Sequence, residues 1–115
     1  MVLGPDFNAL NDQAAEEIFK ALSNQTRVHI LRLLKHPTAN FSTQVHVMKE
    51  NGFEGGVCVS DIRKNIGVSQ STASQYLAIL QQSGLLEMKR IGQWTYYRRN
   101  EATIKQLEQY IRFKL

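Results

Sequence analysis

A polar stripe on one predicted helix, within residues 66–80, is the feature of this sequence best suited to recognising another molecule. The stripe consists of uncharged side chains: Gln70, Ser71, Ser74 and Gln75. The opposite side of the helix carries larger or apolar residues at helical spacing: Ala73, Tyr76, Leu77 and Leu80. Exposed helix faces usually carry Glu and Lys, which are good helix formers and pair along the surface. Amides and hydroxyls instead indicate a surface that meets a ligand.

The amides and hydroxyls of this stripe can hydrogen-bond to base edges in the major groove of DNA. Gln can engage adenine through both amide atoms, whereas phosphate would repel a carboxylate at the same place. We therefore expect the four stripe residues to contact bases. We expect Thr72 either to reach a phosphate or to complete the first turn of the helix, and Tyr76 to pack in the core.

The charge of the chain is concentrated around this stripe. Net charge is +4, with acids slightly in excess up to Gly56 and bases clearly in excess from Val57 onward. A surface that approaches phosphates is expected to lie in such a basic half. Solubility alone can also account for an excess of surface Lys and Arg, so the charge supports the interpretation only in combination with the stripe.

The stripe belongs to a predicted helix-turn-helix at about residues 60–83. Ser60 is the expected N-cap of a short helix, and Gly67 is expected to end that helix with a positive φ. Ser69 is the expected N-cap of the next helix, which carries the stripe. Two short helices with a tight turn between them are typical of DNA-binding helix-turn-helix units.

A β-hairpin is predicted directly after this unit, at about residues 85–99. Its expected turn is formed by Ile91, Gly92 and Gln93. The side chains expected to point inward are Leu86, Met88, Trp94 and Tyr96. The hairpin also carries bases suited to phosphates that flank a DNA site, and this makes it a basic wing: Lys89, Arg90, Arg98 and Arg99.

Three further helices are predicted outside the helix-turn-helix and the wing: the first and last are amphipathic, and the second is nearly all apolar and is expected to be central and buried. The first helix begins at Phe7 and spans about residues 7–22. The second is capped by Ser23 or Asn24 and stops before Pro37. The last spans about residues 101–113. The apolar stripes of the first and last helices either pair with a second copy of the chain or complete the core of the monomer. A two-fold dimer would match a palindromic DNA site.

The expected fold is one mainly α domain, residues 1–115, with a small β-hairpin wing. No apolar run approaches the roughly 18 residues of a membrane span, and no signal peptide is apparent. Cys58 is the only cysteine, so the chain forms no internal disulfide, and the cytoplasm is the expected location. Paired carboxylates, a nucleophile with its base and a Gly-rich phosphate loop are all missing, and an enzyme is therefore not expected.

The order of these elements resembles the ArsR family of bacterial winged helix-turn-helix repressors. The segments that carry the resemblance are FKALSNQTRVHILRLL at 19–34, SQSTASQYLAILQQSGLLEMKRIGQWTYY at 69–97 and the terminal helix. The resemblance covers most of the chain. It implies a homodimer, with terminal helices at the dimer interface, that represses transcription from operator DNA and leaves the DNA when a metal, oxidant or other signal arrives.

Metal-sensing members of that family often carry Cys-x-Cys before the turn, where two thiolates clamp one soft ion. The corresponding stretch here is Cys58, Val59 and Ser60, so the second thiol is missing. The resemblance also implies a second kind of metal site, which draws His and acidic ligands from the paired terminal helices. Residues 100–115 contain no His or Asp, and we expect no metal or other cofactor. Cys58 is either a small buried side chain, a redox switch, or a ligand in a site shared with His36 and His46.

The segment at about residues 36–57 is longer than the family pattern. We expect it to contain either a helix capped by Ser42 and closed by Gly52, or a strand through Val45 and Val47. It would serve as a partner surface, as part of an effector pocket or only as a decorated loop. The sequence thus predicts a DNA-binding repressor with an unidentified signal, and a winged-helix protein-interaction module is the alternative function.

Overall fold

The computed structural model describes residues 10–41 and 45–115. Its helices are α1 (Asp12–Leu22), α2 (Gln25–Lys35), α3 (Pro37–Asn40), α4 (Val45–Glu50), α5 (Val59–Ile66), α6 (Gln70–Gln82) and α7 (Glu101–Phe113). Its strands are β1 (Val57–Cys58), β2 (Leu86–Ile91) and β3 (Trp94–Arg99). The helix start expected at Phe7 and the cap expected at Ser42 lie outside the described residues. No helix in the described part of the chain is long and apolar enough to cross a membrane.

Asparagine side chains begin both α1 and α2. The Asn11 side chain accepts from the Ala14 N–H at 2.7 Å, and the Asn24 side chain accepts from the Arg27 N–H at 3.0 Å. Each bond satisfies one of the N–H groups that the first turn of a helix leaves unpaired. The prediction of Asn24 as a cap is confirmed. Helix α2 ends before Pro37, as predicted, because the residue preceding a proline is disfavoured in helical conformation.

The helices α1, α2, α5 and α6 enclose the core together with the base of the sheet. The largest fully buried residues of this core, at 0–1% exposure, are Ile18, Ile30, Ile62, Leu77, Leu80 and Leu85. Helix α7 covers one side of it. Ile104 and Leu107 pack against the core, and the ring of Tyr110 meets the ring of Phe19 edge-on at 6.2 Å between centroids. The inner part of the α7 stripe therefore completes the core of the monomer.

The described part of the segment at 36–57 contains the short helices α3 and α4 and leads into strand β1. Residues 45–50 form helix α4, so the alternative of a strand through Val45 and Val47 is wrong. The helix is closed near Gly52, as expected, where the Phe53 N–H donates to the Met48 carbonyl at 2.7 Å. Met48 and Phe53 are buried and anchor the segment to the rest of the domain.

Strand β1 makes the wing a three-stranded antiparallel sheet of order β1-β3-β2. Val57 pairs with Tyr97 and Cys58 pairs with Tyr96. The sequence analysis predicted only two strands, because a strand of two residues is too short to show an alternating pattern. The segment at 36–57 is thereby joined to the wing through backbone hydrogen bonds.

The helix-turn-helix is present where the sequence predicted it, with one correction at its start. Gly67 ends α5 at φ +66°, and the Ser69 side chain caps α6. Ser60 is not the N-cap of α5. The extended backbone of β1 continues directly into the helix at Val59. Cys58 therefore occupies the cap position without a side-chain hydrogen bond that caps the helix, and Ser60 lies inside the first turn.

The register of the wing differs from the prediction. The turn has two residues rather than three, so Ile91 pairs with Trp94 and Met88 pairs with Tyr97. A three-residue turn would have paired Met88 with Tyr96 and placed both inward. Shortening the turn by one residue moves β3 by one position and turns the opposite set of its side chains toward the core.

This register changes which wing residues are buried. Leu86 is buried as predicted, and Tyr97 takes the inward place expected for its neighbour Tyr96. The expectation that Trp94 and Met88 point into the core is wrong, since they are 51% and 50% exposed. Met88 lies directly opposite Tyr97 and shares its face, whereas Trp94 pairs with Ile91 beside the turn and lies on the opposite face.

Candidate DNA-binding surface

Helix α6 separates an exposed polar face from a buried apolar face, as the sequence predicted. The exposed residues are Gln70, Ser71, Ser74 and Gln75. The buried residues are Ala73, Leu77 and Leu80, each at 0% exposure. The four polar side chains thus point away from the domain and are available to another molecule.

The first turn of α6 is held by hydroxyl groups. The Ser69 Oγ accepts from the Thr72 N–H at 3.2 Å and donates to the Thr72 Oγ1 at 2.9 Å. The Ser71 Oγ lies 3.3 Å from the Ser69 Oγ. Thr72 was expected either to reach a phosphate or to complete the first turn, and its bonds to Ser69 show that it completes the first turn.

Tyr76 connects α6 to α2, in agreement with its predicted place in the core. The half-buried ring packs against the core cluster, and its hydroxyl accepts from the Asn24 side-chain amide at 3.4 Å. The Arg27 guanidinium lies over the ring, 5.3 Å from its centroid. These contacts fix the orientation of α6, and hence of its polar face, relative to the domain.

The basic residues of the wing differ in how strongly they are engaged within the protein. The Lys89 Nζ donates to the Asn51 carbonyl at 2.6 Å. Arg99 pairs with Glu101 at 2.9 Å. Arg90 is exposed and makes no side-chain hydrogen bond or ion pair with the described residues. Arg90 is therefore the wing base whose charge is most available to a phosphate.

Arg98 is engaged on three sides. Its guanidinium binds Glu87, with Nη2 to Oε2 at 2.8 Å and Nε to Oε2 at 2.9 Å. A further nitrogen donates to the Glu54 carbonyl at 3.3 Å, and the group stacks over the Phe53 ring at 4.3 Å from its centroid. A phosphate would have to compete with all three contacts for this guanidinium.

A cleft of about 380 Å³ separates α6 from the wing. Its rim is formed by Arg63, Gln70 and Ser74 on the helical side and by Gln93, Trp94 and Thr95 on the wing. Buried Leu77 and Tyr97 lie at its floor, and burial raises the pKa of the Tyr97 hydroxyl above its ordinary value.

The sequence analysis missed two residues of this cleft. In the sequence analysis, Arg63 was only one of the bases in excess from Val57 onward, and Trp94 was assigned to the core. A predicted turn of only two residues, Gly92 and Gln93, would have placed the Trp94 side chain outward. The glycine at position 92, which has a positive φ, was the signal in the sequence for such a turn. No comparable signal in the sequence alone placed Arg63 opposite the wing.

Cys58 and Ser60 lie at the positions that correspond to the Cys-x-Cys pair described above for metal-sensing members of the family. Cys58 is buried at 7% exposure, and its sulfur lies 3.3 Å from the Ser60 Oγ. One thiol and one hydroxyl do not fit a soft-metal thiolate site. The described residues also contain no group of three or more His, Cys, Asp or Glu that could hold a metal ion. The side chain of His46 lies outside the description, whereas His36 is exposed.

A helix-turn-helix with an uncharged polar second helix, followed by a basic hairpin, defines a winged helix-turn-helix DNA-binding protein. The family model of bacterial regulatory proteins of the arsR family matches residues 53–88, which contain β1, the helix-turn-helix and the start of β2. The chain belongs to the arsR family and is a DNA-binding transcription regulator rather than an enzyme.

Two relatives and one solved structure illustrate the similarity. The HTH-type transcriptional regulator YbzH of Bacillus subtilis is 42% identical over 86% of this chain and 96% of its own length. A putative arsenical resistance operon repressor, ArsR2 of Halobacterium salinarum, is 32% identical over 90% and 76%. The homodimeric winged helix-turn-helix domain Mb0332 of Mycobacterium bovis matches with a TM-score of 0.62 at 28% identity, over 84% of this chain and 74% of that one.

Proposed function

We propose that the protein is a homodimeric repressor that binds a palindromic operator. The observation that carries this proposal is the exposed, uncharged face of α6 beside a basic wing. Side chains that donate and accept hydrogen bonds without charge suit base edges, and nearby cations suit phosphates. Repression follows from occupying a promoter, and the arsenical resistance repressor among the relatives supports this direction of control.

The proposed roles divide between base contacts and phosphate contacts. Gln70, Ser71, Ser74 and Gln75 contact bases, while Thr72 orders the first turn and places its neighbours. Arg90 binds a flanking phosphate, and Lys89 reaches a second one if it exchanges its bond to the Asn51 carbonyl for the phosphate. For Arg98 we propose a positioning role, because Glu87, Glu54 and Phe53 occupy its guanidinium.

The proposed dimer uses the outer part of α7 together with α1. Ile111, Phe113 and Leu115 remain 47%, 38% and 79% exposed near the end of the chain. Water contact of this much apolar surface is unfavourable, and a second copy would cover it. The homodimeric state of the Mycobacterium bovis domain supports the same assembly. Two recognition helices related by a two-fold axis would then meet half-sites about one helical turn apart.

We propose that regulation does not depend on a thiolate-bound metal, since the chain carries a single buried thiol. Regulation is therefore metal-independent or depends on a signal that is not identified. The cytoplasm is the proposed location of the protein. The interaction-module alternative predicts that DNA binding is weak and indifferent to sequence.

Selection of bound fragments from genomic DNA by the purified, reduced protein tests the proposal. The selected fragments are expected to share a palindrome that binds at least 10³-fold more tightly than random DNA at physiological salt, within the usual range for specific regulators of about 10³ to 10⁷. Affinity measured at several salt concentrations then counts phosphate contacts. Equal affinity for selected and random fragments would reject sequence-specific regulation.

A further inference from the structure

We infer that the cleft between α6 and the wing holds the sugar-phosphate strand that separates the major groove from the neighbouring minor groove. Arg63 binds a phosphate of that strand, and the indole of Trp94 packs against its deoxyribose. This inference rests on the proposed DNA-binding function, and it adds two contact residues and a binding site to it. The site takes a phosphodiester-linked deoxyribose strand as its ligand.

The positions of α6 and the wing support this path for the strand. The major groove is about 12 Å wide and admits one helix, here α6. The edge of the major groove is formed by one sugar-phosphate strand of the DNA. The wing extends beside α6 and would reach past this edge, so that the strand lies between the helix and the wing. The cleft of about 380 Å³ is the space between the two elements, with Gln70 and Ser74 on one wall and Gln93 and Thr95 on the other.

The chemistry of the rim suits a phosphodiester. The cleft is lined by a guanidinium, two amides and hydroxyl groups, and no carboxylate lies among its lining residues. The Arg63 side chain is exposed and makes no ion pair with the described residues, so its charge is free for a phosphate. On the wing side, the Thr95 hydroxyl can donate a hydrogen bond to a phosphate oxygen.

Trp94 supplies an apolar surface that can pack against a deoxyribose of the strand in the cleft. It is 51% exposed, and it begins β3 directly beside the turn. Trp94 also borders a second cavity of about 300 Å³ that contains Asp61 and Lys64, so its ring faces open space on two sides. Asp61 lies in that second cavity and does not line the cleft.

Trp94 is the only tryptophan of the chain, so its fluorescence reports on this site alone. Quenching by acrylamide is measured on the full-length protein, without DNA and with a saturating amount of the selected duplex. Binding is followed independently by the anisotropy of a dye on the DNA. We expect the quenching constant to fall several-fold when the duplex binds, on selected and random duplexes alike, because sugars do not differ with sequence.

The role of Arg63 is tested by its effect on salt dependence. Arg63→Gln is expected to weaken binding to both duplexes by a similar factor and to lower the slope of log affinity against log salt by about 1, the loss of one phosphate contact. Lys105→Gln removes the same charge from an exposed position on α7 and should leave the slope unchanged. Trp94→Ala should weaken both duplexes more than Trp94→Phe does.

The measurements separate failure of this inference from failure of the proposed function. If anisotropy detects no complex with either duplex, DNA binding itself is rejected. If the complex forms while acrylamide still reaches Trp94 as in the free protein, DNA binding stands and the cleft inference is overturned. An unchanged salt slope in a folded Arg63→Gln variant would likewise overturn the assignment of Arg63 to a phosphate.

Discussion

The guanidinium of Arg98 on β3 stacks over the ring of Phe53 at 4.3 Å, which joins the wing to the segment at 36–57. The pair with Glu87 at 2.8 Å holds the same guanidinium from the side of β2. Stacking between a cation and an aromatic ring, reinforced by an ion pair, fixes the plane of the group. A base that looks available for DNA in the sequence is therefore part of the structure that orients the wing.

Replacing Arg98 should differ from replacing Arg90 in its salt dependence. Arg90→Gln is expected to weaken binding to selected and random duplexes alike and to lower the salt slope by about 1, because it removes a phosphate contact. Arg98→Gln should lower the melting temperature and weaken binding modestly without a change in slope. Affinity measured by anisotropy at several salt concentrations, together with thermal melts, distinguishes the two. A slope lowered equally by both variants would assign Arg98 to a phosphate as well.

Removal of one base-contacting amide should reduce specificity rather than general affinity. Gln75→Ala is expected to cost about 1–3 kcal/mol on the selected operator and to relax the preference at one base pair, with little effect on random DNA. Gln81→Ala provides the matched control, since Gln81 is exposed near the other end of α6. Equal losses on operator and random DNA for Gln75→Ala would contradict a base contact.

The helix-turn-helix could be predicted because its signals are local. Ser69 caps the helix that follows it, and Gly67 adopts the positive φ that ends the preceding helix. The apolar spacing of α6 then fixes which of its sides is exposed, and the predicted polar face follows without knowledge of the rest of the fold. The predicted contacts of that face with bases depend on DNA, which the sequence does not contain.

The wing and the segment at 36–57 were harder to predict because their structure depends on pairing between distant residues. One residue in the length of the turn decided whether Tyr96 or Tyr97 points inward. The two-residue strand β1 exists because β3 offers it a partner about 40 residues away, at Tyr97 and Tyr96. Ser60 was displaced from the cap position by the same strand, which leads directly into α5.

A substitution at Gly67 tests the geometry of the turn. At φ +66° an alanine Cβ clashes with its own backbone, although no other atom lies within 4 Å of the place it would occupy. Gly67→Ala should therefore reduce the free energy of unfolding by about 1–2 kcal/mol, and Gly67→Asn by less, because Asn tolerates this conformation. Urea denaturation measures the free energy of unfolding of both variants and of the wild type. Equal losses in the two variants would contradict a cost that arises from the backbone conformation at residue 67.

The buried thiol of Cys58 should react slowly in the folded protein. At 7% exposure it is shielded from a reagent such as an aromatic disulfide, and unfolding in urea should accelerate the reaction many-fold. Cys58→Ser should keep operator affinity, and addition of cadmium or arsenite should not release the wild-type protein from DNA. Fast labelling of the folded protein, with release from DNA on oxidation, would instead support a redox switch.

The contact between α1 and α7 should weaken at alkaline pH. The Tyr110 hydroxyl donates to the Asp12 carboxylate at 3.0 Å, and this bond, followed by burial and the charge of Asp12, raises the pKa of Tyr110 above 10.0. The contribution to stability is complete below the pKa of about 10 that tyrosine has in the unfolded chain, and it is lost as pH rises through the higher folded value. Tyr110→Phe should remove this part of the alkaline loss of stability, while Tyr96→Phe should not. Melting temperatures between pH 8 and pH 11, measured for the three proteins, test the prediction, and parallel profiles for all three would contradict it.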